Sequence, residues 1–227
     1  MKLRAAALAL ALGATGAAPA QTPGLSAVPQ LAYVPPAPGS YTLERILRAP
    51  DGTVLDSDGS VRRLSGFTTG KVTLFSFIYT YCSDPKGCPL AYATLHSLKD
   101  SIERTPALHG KVRFVSMSFD PVHDTPAAMR SYGGPEARDR RGLEWFFLTS
   151  RNGHELAPVL DGFGQDVSVA TAQPGQRPPV LSHMLKVYLI DPQGVVREIY
   201  STSYLHPAVL LADIRTLLLE QSRARRR

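Results

Sequence analysis

Lys71 to Ile78 is a nearly continuous apolar run, Lys-Val-Thr-Leu-Phe-Ser-Phe-Ile, and no other feature constrains the fold as much. A strand with one face in water alternates apolar and polar residues. A run without that alternation fits a strand covered on both faces, as in parallel sheets. Val112 to Phe119 and Trp145 to Leu148 repeat the pattern, and Lys186 to Ile190 reads as a fourth strand. Between the first two, Cys88-Pro89 opens a helix, since proline at the first helical position lacks only an N–H that had no partner there. Ala91, Leu95, Leu98 and Ile102 then mark one helical face.

Pro106 ends that helix, and Thr125-Pro126 starts a short one that stops near Gly133-Gly134. Asn152 to Phe163 reads as helical, residues 173–180 as a loop. Asp191-Pro192-Gln193-Gly194 has type I turn preferences and returns the chain through Val195 to Tyr200 as a hairpin. Pro207 opens a last helix with Leu210, Ile214, Leu217 and Leu218 on one face. Upstream, Tyr41 to Leu47 reads as a first strand, Asp51-Gly52 as a turn and Val61 to Leu64 as a short partner, an extra N-terminal hairpin. The strand–helix alternation predicts an α/β domain with a mixed central sheet flanked by helices. A cysteine loop after the first core strand, feeding a helix, is the thioredoxin-like layout.

The formal charge of +6 does not imply a nucleic-acid partner. Lys2, Arg4, Arg223, Arg225, Arg226 and Arg227 account for the whole excess, so residues 21–222 are neutral overall. Met1 to Arg4 is a positive start, Ala5 to Leu12 is apolar, and Ala18-Pro19-Ala20 is an Ala-x-Ala cleavage signal. Residues 1–20 are therefore expected to be a cleavable signal peptide. The mature chain is expected to be exported to the periplasm without a transmembrane anchor. Residues 21–40, with five prolines, read as a flexible tether, residues 41–220 as the folded domain, and residues 221–227 as a basic, disordered tail.

Export gives the two cysteines, Cys82 and Cys88, three meanings: a disulfide, a metal site or a redox pair. Cys88 at a helix N-terminus is placed to favour thiolate, and Pro85-Lys86-Gly87 can turn the chain back so that the sulfurs meet. A disulfide across so short a loop removes little chain entropy, which counts against a purely structural role. Met117 and Met184 are soft donors for which buried packing is the default reading. His123 reads as solvent-exposed between Asp120 and Asp124, which are expected to organise their loop or cap the helix at Thr125. His96, His109, His154 and His206 read as surface residues.

Four motifs occur in order: Phe77-Ile78-Tyr79-Thr80-Tyr81-Cys82, then Cys88-Pro89-Leu90, then the Asp-Pro-x-x-Asp-Thr-Pro pattern within Phe119 to Pro126, and last Ser182-His183 followed by Val187 to Gly194. Together they resemble the Sco/SenC copper chaperones of cytochrome c oxidase assembly. The resemblance spans roughly residues 41–220 and implies that Cys82, Cys88 and His183 hold copper as Cu(I) or Cu(II). Two thiolates and an imidazole are a soft set that suits this metal, whereas structural zinc takes four protein ligands. The implied partner is a copper-requiring oxidase subunit, alongside other periplasmic copper chaperones or thiol reductases. The chain departs from the family in having five residues between its cysteines, Ser83 to Gly87, where three are usual. The competing reading is a thiol–disulfide oxidoreductase with Cys82 and Cys88 as its redox pair.

Overall fold

The protein is described here by a computed structural model covering residues 31–139, 141–170 and 180–226. The expected signal peptide, residues 21–30 of the expected tether and most of the loop at 173–180 lie outside the described residues. The elements in chain order are β1 (Leu47–Arg48), β2 (Thr53–Asp56), β3 (Val61–Arg63), α1 (Ser65–Thr68), β4 (Val72–Ile78) and α2 (Cys88–Glu103). After a short 3-10 turn at Pro106–Leu108 come β5 (Val112–Ser118), α3 (Pro126–Gly133), β6 (Glu144–Thr149), α4 (Gly153–Phe163) and β7 (Val167–Val169). The chain closes with β8 (Leu181–His183), β9 (Val187–Ile190), β10 (Val195–Tyr200) and α5 (Pro207–Ala224).

Eight strands form one sheet in the order β1-β10-β9-β4-β5-β6-β2-β3. β4, β5 and β6 run parallel, while β9 pairs with β4 antiparallel. Every residue of β4 and β5 is buried, as expected for strands covered on both faces. The few polar side chains among them find partners. Ser76 and Ser116 face each other at 3.2 Å, and the Trp145 indole donates to Ser116. Arg113, 7% exposed, donates to the carbonyls of Gly66 and Thr69 at 2.7 Å each. Aromatic rings fill the sheet-to-helix space; Phe75 stacks on Phe163 with centroids 4.7 Å apart.

The N-terminal hairpin lies elsewhere than expected. β3 pairs with β2, not with residues 41–47, and β2 continues onto β6. Within 41–47 only Leu47 joins a strand, β1, which pairs with β10. The reason is chemical: Arg197 donates to the carbonyls of Leu43 and Glu44, so a side chain takes the place of a strand neighbour. The same guanidinium pairs with Asp191 and Glu220. Gly39 N–H donates to Thr216, and the hydroxyls of Tyr41 and Tyr200 donate to Asp213, which ties residues 39–44 to α5. At the other end α5 runs on to Ala224, into the residues expected as a disordered tail.

Candidate metal centre

β4 ends at Ile78 and delivers the chain to the carboxyl edge of the parallel strands, where open α/β sheets place their sites. The cysteine loop is a built turn. Asp84-Pro85-Lys86-Gly87 closes with Gly87 N–H donating to the Asp84 carbonyl at 2.9 Å, and the Asp84 carboxylate accepts from Lys86 N–H. Proline second and glycine fourth suit such a turn, so the extra loop length folds into it. Cys82 N–H donates to the Tyr79 carbonyl, and Cys88 starts α2.

His183 arrives from the far side of the sequence. β8 pairs with β7 in a separate two-stranded ribbon, with Val167 opposite His183. The ring packs against Phe119 and Tyr79, at centroid distances of 4.7 and 5.9 Å. Its Nδ1 lies 3.3 Å from the Met184 carbonyl and its Nε2 3.9 Å from Cys88 Sγ. With the ring proton on Nδ1 and shared with that carbonyl, the Nε2 lone pair faces the sulfurs, the arrangement a metal-binding imidazole needs. Donor atoms of Cys82, Cys88 and His183 all lie within 4.8 Å of one another. Both cysteines are free thiols. Among the described residues no other group of three His, Cys, Asp or Glu donors converges in this way.

The pair divides its charge unevenly, and not as the helix position of Cys88 alone suggests. A hydrogen bond from Cys88 holds the Cys82 thiol down to about 4 against the opposing effect of burial, with Tyr79 adding a further one. Cys88 is pushed well above its ordinary value by that same bond to Cys82 and then by burial. Cys88 is 1% exposed and Cys82 half-buried, so the better-hydrated sulfur carries the thiolate.

The Asp-Pro-x-x-Asp-Thr-Pro segment supports this loop from the end of β5. Asp124, fully buried, accepts from Thr80 N–H, Thr80 Oγ1 and Ser118 Oγ, which fixes the chain two residues before Cys82. Burial, the largest influence, raises its carboxyl despite those bonds. Asp124 therefore does not cap the helix; the Thr125 hydroxyl does, accepting from Ala128 N–H. His123 is more than a solvent-facing loop residue, because its Nδ1 meets Asp120 at 2.7 Å and the Tyr81 hydroxyl donates to the same carboxylate. His96 is likewise half-buried rather than a plain surface residue, its ring against Tyr92 and Trp145.

A cleft of about 520 Å³ opens over the site, lined among others by Tyr79, Cys82, Lys86, Gly87, His183 and Met184. Met117 is buried as expected, but Met184 is 66% exposed and belongs to this cleft. Tyr79 and Tyr81 are the neighbours that sequence reasoning left without a role; the aromatic residues flanking Thr80 ahead of Cys82 were the available signal.

The SCO1/SenC family profile matches residues 52–219. The copper-bound ScoI of Arabidopsis thaliana is similar in structure, with TM-score 0.61 and 20% identity over 76% of this chain and 98% of that one. The copper-bound ScoI of Bradyrhizobium japonicum gives TM-score 0.59 and 21% identity over 74% and 98%. BsSco, described as having a disulfide switch and as a member of the Sco family of cytochrome c oxidase assembly proteins, gives 0.58 and 22% over 78% and 98%. No curated protein matches the chain. The match over residues 52–219, with a thioredoxin-like sheet beneath two thiols and an imidazole, places the chain in the SCO1/SenC family.

Proposed function

We propose that the protein is an exported copper metallochaperone that delivers its ion to a respiratory oxidase in cytochrome c oxidase assembly. The observation that carries this reading is the convergence of Cys82, Cys88 and His183 within 4.8 Å. Two sulfurs and one imidazole suit Cu(I) by softness and by low coordination number. Three protein donors fall short of the four that structural zinc takes. Copper is cargo here: the Cys82 thiolate and His183 Nε2 take the ion, and Cys88 gives up its proton to solvent as it binds. Release reverses these bonds one at a time as thiolate donors of the acceptor replace them. The two copper-bound ScoI structures and the description of BsSco support this assignment. Export rests on the charged, apolar and Ala-x-Ala pattern of residues 1–20.

The test is anaerobic Cu(I) competition titration of the reduced protein beside its Cys82→Ser/Cys88→Ser variant. The protein is expected to take one copper per chain and the variant none at comparable affinity. Equal binding by both would overturn the reading.

A second reading, a thiol–disulfide oxidoreductase that reduces the cysteines of a copper-site partner, is favoured by one observation. The half-exposed Cys82 carries the thiolate that attacks, while the buried Cys88 is placed to resolve the mixed disulfide. Reduction of a disulfide-bonded peptide by the reduced protein, with Cys82 and Cys88 ending as the disulfide, that persists in the His183→Ala variant would separate this activity from copper binding.

A further inference from the structure

Resting on the copper reading, we propose that the Met184 thioether is a weak fourth donor of the site, on its solvent side. Three donors from His, Cys, Asp and Glu converge here, and the described residues bring no fourth of those types. Three soft donors leave room for one further weak ligand, a role that methionine sulfur fills in blue-copper sites built from two His and one Cys. Met184 follows His183 directly and lines the same cleft as Cys82, His183 and Tyr79.

Its backbone is held in place on the rim of the cleft. The Met184 carbonyl accepts from Gln165 Nε2 at 3.2 Å, from a side chain 4% exposed, and stands 3.3 Å from His183 Nδ1. The residue is 66% exposed, so its thioether is open to the cleft that it lines. An unbranched thioether with three rotatable bonds can swing over the open face of the site or away from it. A thioether carries no proton, so binding through it forms one sulfur–metal bond with no proton released and no electron moved. The same weakness lets an incoming ligand of the acceptor displace it before either thiolate is disturbed.

The experiment uses the reduced full chain with methyl-labelled methionine, titrated anaerobically with Cu(I) and observed by NMR. The chain has four methionines, and Met184→Leu identifies the Met184 signal while keeping an apolar side chain. The Met184 methyl is expected to move on addition of one equivalent of Cu(I). Met184→Leu is expected to bind one copper still, but to release it to a bicinchoninate chelator about tenfold faster, the scale of losing one supporting contact at a metal site. An unmoved methyl, or an unchanged release rate, in a protein that does bind copper overturns the role of Met184 alone. A wild-type chain that takes up no Cu(I) overturns the copper reading instead.

Discussion

Gly87 sits where the cysteine loop closes on α2, and a methyl there would come within 3.3 Å of Cys82 Sγ and of the Asp84 carbonyl. Gly87→Ala is therefore expected to displace the Cys82 sulfur. Cu(I) competition should show affinity weakened about tenfold, as for loss of support around a metal ligand. The chemistry of Cys82 gives a second expectation. Its thiol is held down to about 4, so it is already thiolate throughout the mildly acidic range. Alkylation of the reduced metal-free protein by iodoacetamide should stay nearly flat from about pH 8 down to about pH 6, where an ordinary thiol of pKa near 8.5 slows tenfold per unit. A tenfold fall per unit would place the thiolate elsewhere. At this scale the three candidate donors that converge could be picked out because each stood in a matched motif. Met184 was read as a soft donor with packing as the default; its exposure was not legible, because sequence gives a methionine no sign of which way it faces.

Among the elements, β4, β5, β6 and β9 could be read directly, since strands buried wholly or mostly on both faces leave largely apolar runs. The ribbon of β7 and β8 was invisible. Its strands have three residues each, none of them fully buried, so no period appears, although the ribbon delivers His183. The displaced N-terminal hairpin failed for a different reason, a contest between partners: the backbone of residues 43–44 bonds to Arg197 instead of to a strand. The end of β5 supports the cysteine loop through Asp124, and Asp124→Ala would leave Thr80 and Ser118 short of their shared acceptor. Each buried donor left unmet costs about 1–3 kcal/mol, so urea unfolding should show a loss of at least about 2 kcal/mol. Copper affinity should fall with it, because Thr80 anchors the approach to Cys82. A variant as stable as the wild type would contradict this role.

For the whole molecule, the metal centre and the clamp at the opposite end of the sheet should separate cleanly. Arg197 is 9% exposed and joins Asp191, Glu220 and the backbone of residues 43–44. Arg197→Met removes the buried cation between Asp191 and Glu220, leaving Asp191 only the exposed Arg45 at 3.7 Å, and is expected to destabilise the fold by about 3 kcal/mol while leaving the copper affinity of the folded protein unchanged. On the proposed function the ion would be held by residues from both halves of the sequence, so Cu(I) should raise the melting temperature of the wild type and not of the Cys82→Ser/Cys88→Ser variant. The central claim is that folding brings His183 onto the ion held by the two sulfurs. It is tested most directly by 15N NMR of the histidine rings during anaerobic Cu(I) titration. The account predicts that the His183 Nε2 resonance moves to completion at one equivalent while the other five histidines stay in place. A His183 ring that does not respond while copper is bound would contradict it.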